Sequence, residues 1–170
     1  AIVQAILDLT RNNAADSFYS VNKTLVGLKA LWEGDIRSKG IDLELQLDEQ
    51  DPTLFGSKQK FIEIMMNLVK NACDAVAAGG KIIVATKKTE DGALTAVSDN
   101  GSGIRAEVLP KIFQPYFTTK SEDNGTGLGL YIVKDSVERM GGRIEILTKP
   151  GRGTTFTIYL PNKSPEAKAE

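Results

Sequence analysis

KFIEIMMNLVKNACDAVAAGG, residues 60–80, is the stretch that most strongly determines the predicted fold. Its apolar residues recur at helical spacing, and Ser57 precedes it as a candidate N-cap, so we predict a long helix that ends near Gly79 and Gly80. One face of this helix is apolar and is expected to pack in the core. The residues of that face are Ile62, Met65, Met66, Val69, Ala72, Cys73 and Val76.

The same helix carries a polar stripe about 80° wide, formed by Glu63, Asn67, Asn71 and Asp74. A solvated face is the simplest interpretation of such a stripe. Asparagine is a poor helix former, however, and two of them one turn apart are hard to explain on an exposed face. An asparagine oxygen can bind a hard cation, and Mg needs only one or two protein ligands when phosphates supply others. The stripe therefore favours a binding face.

Two glycine-containing segments follow the helix. In ALTAVSDNGSGI, residues 93–104, Asp99 ends a predicted buried strand and is followed by Gly101 and Gly103. This pattern is typical of a turn, but the carboxylate could also accept a hydrogen bond from an exocyclic amine such as that of adenine.

The second segment is GTGLGL, residues 125–130, which precedes a helix predicted from about Thr126 to Met140. Exposed backbone amides at a helix N-terminus form an anion site. The glycine spacing matches neither the P-loop nor the G-x-G-x-x-G pattern, so by itself it indicates only a turn.

The remaining chain predicts an α+β domain whose helices cover one face of a mixed sheet. Helices are expected at residues 1–9 and 21–39, and strands at 41–47, 81–88, 93–99, 143–147 and 154–160. Residues 100–126 form a long segment without sustained periodicity, which is typical of a binding loop. We expect the end of the chain to be disordered.

Composition excludes several classes of function. The 170 residues fit one domain, and 22 acidic residues nearly balance 21 basic ones, so we expect no nucleic-acid partner. Histidine is absent, which excludes Ser-His-Asp and Cys-His catalysis within this chain. The single cysteine, Cys73, and the lack of a long apolar run lead us to expect a cytoplasmic location.

Three motifs stand in one order along the chain: E-x-x-x-N-x-x-x-N-A-x-D-A from Glu63, D-x-G-x-G-I from Asp99 and G-T-G-L-G-L from Gly125. Together they resemble the ATP-binding catalytic domain of bacterial sensor histidine kinases, in the GHKL superfamily that includes gyrase and a heat-shock chaperone. The resemblance covers about residues 18–161. It implies a two-layer α/β sandwich of the Bergerat type, with about five strands, helices on one face and a mobile ATP lid.

The resemblance also implies residue roles. Asn71 would bind Mg, Asn67 would lie beside the triphosphate, and Asp99 would recognise adenine. KIFQPYFTTK, residues 111–120, resembles the family's F box, so residues 104–124 would be the lid, with Lys120 near the phosphates. The further residues implied to contact ATP are Lys70, Asp74, Gly101, Gly103, Ile104, Gly125, Thr126, Gly127, Leu128, Gly129 and, in the closing strand PGRGTTFTIYLP, Thr154.

Kinases of this family phosphorylate a histidine on a dimerisation domain, which this chain lacks. AIVQAILDL, residues 1–9, resembles the end of that domain, so we expect the acceptor to lie upstream. The implied division is residues 1–17 as helix tail and linker, 18–161 as the ATP-binding domain and 162–170 as a disordered tail. The implied partners are the dimerisation domain and a response regulator. We expect a homodimer for the full-length protein and a monomer for this chain. The chain could be the cytoplasmic part of a membrane-bound sensor.

Three alternative functions remain open. A hydrolytic ATPase of the gyrase type would carry a glutamate base where this chain has Asn67. A serine kinase of the anti-sigma type would share the motifs. A nucleotide sensor without catalysis would also bind ATP. Phosphoryl transfer relies mainly on positioning and charge neutralisation, so we assign Asn67 and Lys120 to phosphate positioning and assign no general base.

Overall fold

The structure, a computed structural model, describes residues 16–120 and 125–162. The predicted helix at residues 1–9 and residues 163–170 of the predicted tail lie outside the described residues. In chain order the elements are β1 (Ser17–Ser20), α1 (Val21–Ser38), β2 (Asp42–Gln46), β3 (Thr53–Gly56), α2 (Lys58–Ala75), β4 (Lys81–Lys88), β5 (Gly92–Asp99), a 3₁₀ turn (Leu109–Lys111), α3 (Gly129–Arg139), β6 (Arg143–Lys149) and β7 (Gly153–Pro161).

Five strands form one mixed sheet in the order β2-β4-β5-β7-β6. β2 and β4 are parallel, and the other neighbouring pairs are antiparallel. A parallel pair needs a crossover connection, and here α2 lies in the segment between β2 and β4. The predicted α+β class with a mixed sheet of about five strands is confirmed.

The three helices pack on one face of the sheet. Strand residues facing them are buried in alternation, as the two-residue period of a strand requires. They are Ile82, Val84 and Thr86 of β4, Ala93, Thr95 and Val97 of β5, and Thr154, Phe156, Ile158 and Leu160 of β7. The residues between them are less buried, and on the edge strand β6 Leu147 is 77% exposed. The sandwich therefore has two layers.

Helix α2 is the centre of the core, but its buried face is wider than the predicted arc. Phe61, Ile64 and Leu68 are fully buried and were not predicted to be in the core. Predicted core residues Ile62 and Met66 lie at the margin, with Met66 38% exposed. The reason is that α2 packs against α1, α3 and the sheet at the same time. An apolar arc predicted for packing in one direction therefore covers only part of the buried face.

Two helix boundaries differ from the prediction. α2 ends at Ala75 because Val76 already has extended backbone angles, so the helix stops before Gly79 and Gly80. α3 begins at Gly129, later than the predicted start near Thr126. The reason is that Gly127 has a φ of +68°, which is incompatible with a right-handed helix.

A two-stranded antiparallel ribbon of β1 and β3 was not predicted. Each strand has four residues, too few for a periodic pattern, and the partners are far apart in sequence. The ribbon nevertheless contributes to the core, since Tyr19 and Leu54 are buried. Asn162, assigned to the tail, accepts a hydrogen bond from the backbone N–H of Phe55 at 3.1 Å, which ties the end of β7 to the ribbon.

Among residues 16–120 and 125–162, every helix is too short or too polar to cross a bilayer.

Candidate functional site

A cleft of about 550 Å³ opens between α2, the loop after β5, the glycine segment before α3, and β7. Its volume is in the range of small-molecule binding sites. All of the predicted site residues except Gly101 and Leu128 line it. Those that line it are Asn67, Lys70, Asn71, Asp74, Asp99, Gly103, Ile104, Lys120, Gly125, Thr126, Gly127, Gly129 and Thr154.

One end of the cleft is formed by the polar stripe of α2. The Asn67 side-chain amide donates to the carbonyl of Glu63 at 2.9 Å, one turn earlier. This bond uses the nitrogen and leaves the Asn67 oxygen to face the first residue of α3, where a Cβ on Gly129 would lie 3.0 Å away. Glycine at position 129 thus lets α3 begin directly beside an oxygen acceptor that makes no hydrogen bond to the other described residues.

Asn71, one turn further along α2, has an incomplete set of hydrogen bonds. Its Oδ1 accepts from the Lys120 ammonium at 3.4 Å. Its Nδ2 is buried and has no hydrogen-bond partner among the described residues. An unpartnered buried amide costs free energy, which makes Asn71 a side chain suited to a ligand that completes its contacts.

Asp74 joins Lys120 to the same end of the cleft. The Lys120 ammonium donates to the Asp74 carboxylate at 2.6 Å. Partial burial acts to raise the pKa of Asp74, but hydrogen bonds from Lys120 and Lys39 outweigh it and hold the pKa below its ordinary value. This end of the cleft is therefore a charged cluster whose cation, Lys120, is paired with protein groups.

Asp99, the last residue of β5, also lines the cleft and lies beside Thr154 of β7. Its Oδ1 accepts from the backbone N–H of Gly101 at 2.8 Å. Burial raises the pKa of the Asp99 carboxyl, and the backbone bonds from Gly101 and Thr154 only partly offset this effect. A half-buried carboxylate with no cationic partner in the described part of the chain is a strong acceptor for a ligand N–H group.

The two predicted residues that do not line the cleft support it from behind. Gly101 packs against the C-terminal end of α2, where a Cβ would overlap the Ala75 carbonyl, and its N–H orients Asp99. Leu128 is the N-cap of α3, and its N–H bonds weakly with the Thr126 hydroxyl at 3.4 Å.

The cleft also has an apolar wall that was not predicted, apart from Ile104. Its members are Ile104, Val108, Ile112, Phe117, Leu130 and Phe156. Ile104, Val108 and Ile112 recur every four residues. This spacing is a sequence signal for the wall, although we predicted no sustained periodicity for residues 100–126. Thr148 holds this wall in place, because its hydroxyl accepts from the Ile104 N–H and pairs with the Thr154 hydroxyl, each at 2.9 Å.

The glycine segment packs closely on the loop that precedes it. A Cβ on Gly127 would overlap the backbone of Tyr116, which itself has a φ of +65°. A φ of +68° also disfavours any residue other than glycine. Both the close contact with Tyr116 and the backbone angle therefore require glycine at position 127. The result is that backbone amides before α3 border the same end of the cleft as Asn67 and Lys120.

Within the part of the chain that the structure describes, no cluster of three or more Cys, Asp or Glu side chains could hold a metal ion alone. The Oδ1 atom of Asn71, whose contact with the Lys120 ammonium is long at 3.4 Å, is the atom that fits a hard cation whose other ligands come from a bound phosphate chain and water. Its Nδ2, which has no partner among the described residues, is a donor and suits a phosphate oxygen. The cleft can therefore hold a flat, partly apolar group next to Asp99 and an anionic chain next to Asn67, Asn71 and Lys120.

Known proteins resemble this chain in sequence and in fold. The family described as "Histidine kinase-, DNA gyrase B-, and HSP90-like ATPase" matches residues 56–164. The sensor histidine kinase ZraS of Escherichia coli (strain K12) is 34% identical over 161 residues, covering 94% of this chain and 34% of that protein. The chain spans about a third of the length of the first curated relatives it matches.

Two solved structures have the same fold. The catalytic domain of the histidine kinase ThkA superposes with a TM-score of 0.79 at 29% identity, covering 88% of this chain and 97% of that domain. ThkA in complex with the response regulator protein TrrA superposes with a TM-score of 0.73 at 26% identity, covering 97% of this chain and 47% of the ThkA chain.

Proposed function

Because the chain belongs to the histidine kinase-, DNA gyrase B-, and HSP90-like ATPase family, we propose that it is the ATP-binding catalytic domain of a sensor histidine kinase. It transfers the γ-phosphoryl group of ATP to a histidine on a dimerisation domain. This chain contains no histidine, so the acceptor belongs to another segment or molecule. A response regulator aspartate then receives the phosphoryl group, in line with the ThkA complex, which contains a response regulator.

The cleft is the observation that supports this function most directly. In the proposed complex Asp99 accepts a hydrogen bond from the exocyclic amine of adenine, and Thr154 lies beside it. The apolar wall covers the ring, while Asn67, Lys70 and Lys120 face the phosphates. The cleft thus contains a carboxylate acceptor, an apolar wall and cationic groups, which are the contacts that adenine and a triphosphate require.

Asn71 is the proposed Mg ligand. The bound metal supplies charge neutralisation on the phosphate chain. The residues of this chain position the phosphates, and the acceptor's own surroundings supply any base. Asn67, a neutral amide, occupies the position where a hydrolytic enzyme of this family carries a carboxylate, which favours transfer to a separate acceptor over hydrolysis.

The division of the chain stays a proposal as well. Residues 18–161 form the ATP-binding domain, 1–17 are the end of the dimerisation helix with its linker, and 162–170 are a tail. In this proposal the full-length protein is a homodimer, and the chain by itself is a monomer.

The proposal is tested by incubating the chain with radiolabelled ATP, Mg and the histidine-bearing domain that we place upstream in the same gene. The expected product is acid-labile phosphohistidine on that domain. Rapid phosphate release without the acceptor would instead indicate a hydrolytic ATPase, and phosphoserine on a partner an anti-sigma-type kinase. ATP binding without any of these products would indicate a nucleotide sensor.

Asn71→Ala tests the metal role in the same assay. We expect the variant to lose nearly all transfer and most of the Mg dependence of ATP binding, because a hard-cation ligand is removed. Asn162→Ala is a matched control, since it removes the same amide at the opposite end of β7, about 26 Å from Thr154. Transfer by Asn71→Ala at the wild-type rate would show that Asn71 is not the metal ligand.

A further inference from the structure

Lys39 is absent from the predicted site residues, yet its side chain contacts one of them. Its ammonium lies 3.1 Å from Oδ1 of Asp74 and 3.4 Å from the Cys73 carbonyl, both at the C-terminal end of α2. An ammonium group at a helix C-terminus is electrostatically favourable. Lys39 thus connects the end of α1 to the charged cluster of the cleft.

The backbone fixes the position of Lys39. It is the C-cap residue of α1, and its N–H bonds back to the Asp35 carbonyl at 3.2 Å. Gly40 follows with a φ of +63°, and its carbonyl accepts from the Gly79 N–H at 2.8 Å, which attaches the end of α1 to the chain leaving α2. The Lys39 side chain therefore extends to Asp74 from a backbone position that is fixed by hydrogen bonds.

Asp74 shares its two carboxylate oxygens between two lysines. Oδ1 accepts from Lys39, and Oδ2 accepts from Lys120 at 2.6 Å. Each ammonium repels the other, so Lys39 reduces the net attraction that Lys120 experiences at Asp74. The side chains of Lys39, Asp74 and Lys120 are 45%, 23% and 33% exposed, so solvent moderates this effect without removing it.

A phosphate chain in the cleft competes with this arrangement for the Lys120 ammonium. In the structure the Lys120 ammonium is held by Asp74 and also lies 3.4 Å from Oδ1 of Asn71, the oxygen proposed to bind Mg. A metal ion bound at this oxygen and the Lys120 ammonium would repel each other. The strength of the contact between Asp74 and Lys120 therefore opposes binding of a polyphosphate and its metal.

We infer that Lys39 is a positioning residue for the polyphosphate: by sharing the Asp74 carboxylate, it weakens the hold of Asp74 on Lys120 and frees Lys120 to neutralise the phosphate chain. This inference rests on the proposed function. Lys39 does not touch the nucleotide in this arrangement. It acts through Asp74, and its contribution depends on the phosphates and not on the adenine ring.

The test measures the affinities of the 170-residue chain for ATP and for adenosine, both with Mg present, by competition with a fluorescent ATP analogue. Lys39→Met is expected to lower the ratio of ATP to adenosine affinity by about threefold to fivefold, the size of one partly screened charge interaction. Lys39→Arg, which keeps the charge and the contact with Asp74, is expected to restore the ratio. Circular dichroism establishes that each variant is folded.

Two controls separate this role from a general effect of charge. Lys23→Met removes the same charge from the first turns of α1, about 24 Å away along the helix, and is expected to leave the ratio unchanged. In an Asp74→Asn background, Lys39→Met is expected to change the affinity ratio much less. The effects of two substitutions are not additive when one residue acts through the other.

The outcomes distinguish the inference from the proposed function. If the wild-type chain binds no ATP, the proposed function fails and the inference with it. If the wild-type chain binds ATP but Lys39→Met leaves the ratio unchanged, only the inference fails. An equal effect of Lys39→Met with and without Asp74 would also overturn it, because Lys39 would then act directly through space.

Discussion

At the scale of the residue, the ionised Asp99 carboxylate lowers the stability of the folded protein but is well placed to bind a ligand. It ends a strand beside the cleft, and burial raises its pKa while no cation among residues 16–120 and 125–162 pairs with it. Because the folded protein holds the proton more tightly than the unfolded chain, Asp99 lowers stability as pH rises from the ordinary carboxyl range through its own raised pKa. Groups that cost stability in a cleft are candidates for a binding role.

Asp99→Asn is therefore expected to have opposite effects on binding and on stability. The affinity for ATP should fall by about 1.5–3 kcal/mol, the usual value of a charge-assisted hydrogen bond, as measured by calorimetry. The melting temperature at pH 7 should rise, because the buried charge is removed while the amide oxygen can still accept from Gly101. The stability difference from wild type should shrink as pH falls towards 4, where the aspartate is increasingly protonated.

Asp91→Asn is the matched control, because Asp91 lies just before the other end of β5 and is exposed. It makes the same change of charge and should leave ATP affinity unchanged. Unchanged ATP affinity in a folded Asp99→Asn variant would contradict the adenine assignment.

At the scale of the element, the short ribbon of β1 and β3 illustrates what a local pattern misses. The sequence predicted α1, α2 and the five strands of the sheet, because each is long enough for its period to appear. The ribbon has four-residue strands whose pairing joins Ser17–Ser20 to Thr53–Gly56. Its inward residues complete the core next to α2, where the rings of Tyr19 and Phe61 are 5.8 Å apart.

Leu54→Ala tests the contribution of the ribbon. Leu54 is 1% exposed, so its truncation leaves a cavity and should lower the free energy of unfolding by about 2–5 kcal/mol, measured by urea denaturation. Leu147→Ala makes the same chemical change in a strand residue that is 77% exposed, and should cost less than about 0.5 kcal/mol. Similar small losses in the two variants would mean that the ribbon does not pack on the core as described.

At the scale of the whole molecule, the cleft joins segments that are distant in the chain. Residues of α2, the loop after β5, the start of α3 and β7 all line it. A ligand bound there contacts all of these segments and has no equivalent site in the unfolded chain. Binding must therefore stabilise the folded domain through mass action.

ATP with Mg at about 100 times its dissociation constant should raise the free energy of unfolding by about 2.7 kcal/mol. The rise is measured by urea denaturation across a series of ATP concentrations. GTP is the control: it has the same phosphates but presents a carbonyl oxygen where adenine has its amine, which would face the Asp99 carboxylate unfavourably. GTP at equal concentration should stabilise the domain less. Equal stabilisation by the two nucleotides would contradict adenine selectivity at Asp99.

The sequence by itself determined the fold class, the order of the motifs, the absence of an acceptor histidine and most of the residues that line the cleft. The first three features depend on local spacing and composition, which a single chain displays directly, whereas the site residues came from the resemblance of the motifs to a known family. Only the tertiary structure decided that Gly101 supports Asp99 from outside the cleft, that α2 is buried on a wider face, and that Lys39 shares Asp74 with Lys120. The physical reason is that such contacts depend on how separate elements pack together. The hydrophobic period of one element does not specify which other elements pack against it.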